Sequence, residues 1–108
     1  MFKKLLGIPE FDGAAEVVRA LDGNQPISLG VFDQHIEVVR SPKIGALTTA
    51  GSGKTYIPTK AITSVTVIQR FPYKYLVIST AGSITEFRLT NPKDADRALK
   101  AISLRIGT

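Results

Sequence analysis

Residues 51–55 read Gly-Ser-Gly-Lys-Thr. A glycine turn followed by lysine and a threonine hydroxyl is the chemistry of a phosphate cradle. Backbone N–H groups face the phosphates, the lysine neutralises them and the hydroxyl reaches Mg²⁺. The full motif, G-x-x-x-x-G-K-[ST], puts its first glycine at position 48, where this chain has Thr48. The cradle must also open a helix whose N-terminus binds the anion. Here Lys54 runs into Thr-Tyr-Ile-Pro, and Pro58 falls too early for such a helix. Thr55 and Ile57 are β-branched and lean towards strand. Positions 38–85 hold no Asp or Glu to carry Mg²⁺. The stretch therefore reads as a glycine turn feeding a strand, and nucleotide hydrolysis is not expected.

Other reactive side chains are sparse. The chain has no cysteine, which removes disulfides, thiolate metal sites and cysteine nucleophiles. His35 is the single histidine and reads as a solvated strand residue after a turn. A histidine-rich metal site is excluded by that count, and nothing supports an all-carboxylate one. No catalytic residue, metal or cofactor is assigned, and an enzyme is not expected. Arg70-Phe71-Pro72-Tyr73-Lys74-Tyr75 interleaves basic and aromatic residues. Such a patch could stack bases and contact phosphates, form a protein contact, or cap the core at a turn. Arg70, Tyr73, Lys74 and Tyr75 are its candidate interface residues. At the amino terminus, Phe2, Lys3, Lys4 and Leu5 could rest on an anionic membrane. The favoured reading packs them on the domain or a neighbouring subunit.

The bulk numbers describe a 108-residue chain, 44% apolar and 21% charged, which suits one globular core. No apolar run nears the ~20 residues of a membrane-spanning helix. The first residues lack the roughly 7–15-residue apolar stretch of a secretory leader. A cytoplasmic protein is expected, with peripheral contact to the inner membrane face as the variant. The net charge is +5, and its distribution is uneven. Residues 9–37 carry Glu10, Asp12, Glu16, Asp22, Asp33 and Glu37 against Arg19 alone. Residues 38–85 carry only bases: Arg40, Lys43, Lys54, Lys60, Arg70 and Lys74. An acidic segment beside a basic one suggests an anionic partner or head-to-tail self-association, unless these are ordinary solvated strand faces.

The elements that must position these residues follow from periodicity. Ala14, Val17, Val18 and Leu21 follow the i, i+3, i+4, i+7 stripe of a helix over 10–22, with Gly23 as its C-cap and Pro26 beyond. From Ile27 the period becomes two. Short strands are expected on either side of Phe32-Asp33-Gln34, weakly at 44–48, in Lys-Thr-Tyr-Ile-Pro, and at 61–70. Two more flank a tight turn at Ala81-Gly82. Asn91 is an N-cap with Pro92 in the first turn, and Ala95, Ala98, Leu99, Ile102 and Ile106 form a final helical stripe.

Three stretches carry a family resemblance. Gly-Val-Phe-Asp-Gln-His-Ile-Glu-Val-Val-Arg starting at Gly30, the run from Gly51 through Ile57-Pro58 to Ile62 and Val65, and the closing run from Glu86 to Ile102 resemble the bacterial pleckstrin-homology-like (PH-like) domains. The resemblance spans residues 30–102. It implies a mainly β fold with α: an antiparallel β-barrel or sandwich of six to seven strands capped by a C-terminal helix. The N-terminal helix would be an addition. Residues 1–26 would form that helical extension and residues 27–108 the PH-like barrel. PH domains are binding modules, and some hold inositide headgroups with basic residues around the first hairpin. On that pattern Lys43 and Lys54 fall in the corresponding loop and strand start, with Arg40 and Lys60 as further anion candidates. Lys54 is followed by Thr55 and Tyr56, with no arginine two residues on, so the inositide motif is incomplete. The expected function is a non-enzymatic binding or assembly module for a protein partner or its own copies. Anionic membrane or phospholipid headgroups are the alternative, and single-stranded nucleic acid is the second alternative.

Overall fold

A computed structural model describes residues 11–40 and 53–106. Seven strands lie in one antiparallel sheet: β1 (Glu16–Asp22), β2 (Gln25–Val31), β3 (His35–Arg40), β4 (Gly53–Pro58), β5 (Ile62–Arg70), β6 (Tyr73–Thr80) and β7 (Ser83–Leu89). Among the described residues their order is β4-β3-β2-β1-β7-β6-β5, so there the sheet is open and β4 and β5 are its outer strands. A 3₁₀ turn (Pro92–Asp94) leads into α1 (Ala95–Ser103), which packs on β5, β1, β6 and β2. This is the mainly β fold with a final helix that the periodicities imply. No helix among the described residues is long and apolar enough to cross a membrane.

The helix expected over 10–22 is corrected: residues 16–22 are β1. The helical stripe at Val17, Val18 and Leu21 coexists with a period of two at Val18 and Ala20, and the second pattern is the one buried. Adjacent β-branched valines favour the pleated form. Gly23 is not a helix cap. With φ +64° it is the first central residue of the two-residue turn that pairs Asp22 with Gln25. Glycine at that position is the pattern of a type II′ hairpin. Pro26 pairs with Leu21 and precedes the β2–β3 ladder, which starts at Ile27, so its missing N–H leaves that ladder whole. The sheet thus runs across the boundary expected after residue 26. β1 is the strand that joins the two halves, through Ala20↔Leu89 and Leu21↔Arg88.

The other strands follow their alternation. Ile36 and Val38 point into the core while His35, Glu37 and Val39 do not. Phe87 and Leu89 are buried on β7. The Ala81-Gly82 turn closes the β6–β7 hairpin at Thr80↔Ser83. Gly53-Lys54-Thr55 belong to β4, paired with Arg40, Val39 and Val38, so they do not open a phosphate-binding helix. The weak strand expected at 44–48 lies outside the described residues. At the end, Asn91 Oδ1 accepts the Lys93 N–H at 3.0 Å, and α1 buries Ala95, Ala98, Ala101 and Ile102. Those four meet Val18, Leu29, Leu76, Ile78 and Phe87 in one core.

Candidate interaction surface

On β6, Leu76 and Ile78 face the core, so Tyr73, Tyr75 and Val77 take the other side of the sheet. Cross-strand register then assembles an outer face from three strands. Arg70 stands opposite Tyr73, and Ile68 opposite Tyr75. Tyr75 is opposite Arg88, Val77 opposite Glu86, and Ser79 opposite Ile84. Leu21 of β1 continues the row beyond Arg88. Directly paired residues share a side of the sheet, so these rows form a single surface.

Arginines and tyrosines interlock on it. The Arg70 guanidinium lies 4.9 Å over the Tyr75 ring, and that of Arg88 lies 4.5 Å over the Tyr73 ring. Each is a cation–π contact, favoured by the negative face of the ring. Arg70 also donates to both carboxylate oxygens of Glu86, at 2.9 and 3.4 Å. That hydrogen bond holds the Glu86 carboxyl below the usual carboxylate range and raises the Arg70 guanidinium further. Tyr73 itself is 43% exposed, the same face carries Ile84, 71% exposed, and Ile68, 36%, and Phe71 in the adjoining β5–β6 turn is 88% exposed. A shallow depression of about 240 Å³ between Leu21, Gly23, Tyr75, Glu86 and Arg88 adds relief.

Of the four interface candidates, Arg70, Tyr73 and Tyr75 share this face. Lys74 pairs with Gln69 and takes the opposite side. Sequence reasoning missed Ile68, Ile84, Glu86 and Arg88. Alternation along β7 puts Ile84, Glu86 and Arg88 on the side away from Thr85, Phe87 and Leu89, but only the β6–β7 register brings that side beside the tyrosines.

Among the described residues, the anion candidates Arg40 and Lys54 do not converge. Arg40 pairs with Gly53 and Lys54 with Val39, so the two side chains leave opposite faces of the β3–β4 ladder. Arg40 donates to Asp22 Oδ2 and to Thr55 Oγ1, each at 3.0 Å. Lys54 Nζ stands 3.7 Å from Glu37, whose other oxygen bonds His35 at 3.1 Å. Lys60 lies apart, at a cavity shared with Asp33, Gln34 and Thr59. Lys43 lies outside the described residues, as do Phe2, Lys3, Lys4 and Leu5. His35 is half-buried rather than solvated: its ring stacks on Phe32 at 4.8 Å and meets the edge of Tyr56 at 5.3 Å.

The acidic and basic segments therefore meet within one molecule. Asp22 takes Arg40 and Glu37 takes Lys54. Glu16 and Asp33 pair instead with arginines outside the basic segment, Arg97 and Arg105, each at 3.1 Å. Part of the charge that is segregated along the chain is thus matched across the sheet. Among known proteins, no family model and no curated protein matches the chain.

Proposed function

We propose that the chain is a non-enzymatic binding and assembly module of PH-like architecture, whose outer β5–β7 face meets a protein partner. One observation carries the reading: Arg70, Arg88, Tyr73 and Tyr75 interlock on a face that also exposes Ile68 and Ile84, with exposed Phe71 in the turn beside it. Tyr and Arg dominate interface hot spots, because each joins a large apolar surface to a polar or charged tip. The cation–π pairs hold the rings and guanidiniums in place before a partner arrives, which lowers the ordering cost of association. Solvent-exposed Ile84 and Phe71 supply apolar area that a partner can cover.

The divergence of Arg40 and Lys54 argues against a headgroup site between them. Both guanidiniums on the tyrosine face already have partners, which favours protein over nucleic acid there. The test places a photo-crosslinking amino acid at position 84, at 71, and at exposed Lys100 on α1. A discrete protein adduct from 84 and 71 but not from 100, lost on Tyr73→Ser, is expected. Equal adducts from all three positions, or adducts made of nucleic acid or lipid, would overturn the reading.

A further inference from the structure

The two outer strands of the sheet differ in kind. β4 is six residues long and carries Lys54 and Pro58, the devices by which sheet edges resist further pairing. β5 is nine residues long and has no proline, glycine or charge from Ile62 to Gln69. Six of those eight are β-branched: Ile62, Thr63, Val65, Thr66, Val67 and Ile68. Among the described residues β5 has a strand neighbour, β6, on one side only. A long, uncharged, β-branched edge is a template for another strand.

We infer that the free edge of β5 pairs antiparallel with β5 of a second copy, about a two-fold axis beside Thr66. The inference rests on the assembly reading above and names one partner within it. A two-fold contact must be complementary to itself. Full overlap of residues 62–70 meets that condition: Thr66 faces Thr66, Val65 faces Val67, Ser64 faces Ile68, and Thr63 faces Gln69. Arg70, the one charge in the strand, falls at the two ends opposite Ile62, so no like charges meet. Val65 and Val67 are only partly buried on their own core, and pairing would bring each beside the partner's valine on the same face. The two outer faces would then run on as one surface, with Ile68 and Tyr75 of each copy near the centre. A second copy matches this edge in length and neutrality without further assumption.

Thr66 is exposed, on the outer face, and opposite Val77 rather than in the core. Thr66→Lys and Thr66→Glu each place like charges beside the axis, while their mixture places opposite ones there. The mass of the full chain in solution is measured against concentration by light scattering. The native chain is expected as a dimer. Each variant, with its circular dichroism intact, weakens the dimer by an order of magnitude or more, and the equimolar mixture restores it as a mixed dimer in native mass spectrometry. Amide exchange on the native chain is a measurement that no variant can spoil: β5 amides gain protection as concentration rises. A monomer at every soluble concentration, dimers indifferent to both substitutions, or β5 exchange independent of concentration would overturn the edge pairing. A monomer that still forms the position-84 adduct sinks the edge alone. An edge dimer without that adduct sinks the outer-face reading alone.

Discussion

The guanidinium of Arg70 on β5 reaches over β6 to the carboxylate of Glu86 on β7, at 2.9 and 3.4 Å, while lying above the ring of Tyr75. Sixteen residues of chain separate the partners. The ion pair is exposed, so its worth lies less in stability than in posture. It holds an arginine over a tyrosine ring at the end of β5, on a face that mixes apolar and charged side chains.

The titration of Glu86 reports that posture. Its carboxyl is held below the ordinary glutamate range by the Arg70 hydrogen bond. A depressed folded-state value means that the stabilisation is present above the unfolded glutamate value and is lost as pH falls through the folded one. Carbon-detected NMR titration should show Glu86 with a lower midpoint than a free glutamate. Arg70→Gln should return the midpoint towards the ordinary range; an unmoved midpoint would separate the two groups in solution.

Gly30 and Phe11 make a second pair open to test. A Cβ at Gly30 would stand 2.7 Å from Phe11 Cε1 and nearer still to Cδ1, so the ring lies against bare backbone. Gly30→Ala should displace the ring and cost about 1–3 kcal/mol, the usual range for overpacking. Combining it with Phe11→Ala should cost less than the sum of the two single changes, as contacting residues couple. Additive denaturant midpoints would show that the ring does not sit there.

Ile84 and Phe87 lie three positions apart on β7 and should behave oppositely. Phe87 is 1% exposed and sits in the core, so Phe87→Ala should cost roughly 3–5 kcal/mol. Ile84 is 71% exposed, so Ile84→Lys should change stability by within about 0.5 kcal/mol. The same Ile84→Lys should abolish partner binding through the outer face. Thermal melts and binding measured on one preparation compare the two, and a binding-competent Ile84→Lys would count against that face.

Arg40 and Lys54 test the headgroup alternative. Each is engaged by a carboxylate of its own sheet, Asp22 and Glu37 respectively. Arg40→Gln should cost at most about 1 kcal/mol, as for partly exposed ion pairs. Neither Arg40→Gln nor Lys54→Gln should change co-sedimentation with acidic vesicles. Salt-sensitive retention that falls with both substitutions would revive the lipid reading.

Much of the fold is legible along the chain because its signals are local. The Asn91-Pro92 cap, the Ala81-Gly82 turn and the alternation in Thr85-Glu86-Phe87-Arg88-Leu89 each depend on a few neighbouring residues. The segment 14–21 is the exception. It offers a helical stripe at Val17, Val18 and Leu21 and a strand alternation at Val18 and Ala20, and docking between β2 and β7 goes with the strand. The candidate surface was half legible for the same reason. Arg70, Tyr73 and Tyr75 flank one turn and could be named together, whereas Arg88 and Ile84 join them only through the register of β7 on β6.

By itself, then, the sequence determined a mainly β chain with a capped final helix, a Gly-Lys-Thr that enters a strand, and no cysteine chemistry. Tertiary structure decided where the charges go. Acids gathered before residue 38 and bases after it look like the two poles of an assembling molecule. Antiparallel pairing instead folds Asp22 onto Arg40 and Glu37 onto Lys54. The physical reason is one of range: turn and cap preferences act over a few residues, but a hairpin ladder sets partners across any loop that closes it, and charge matching belongs to the ladder.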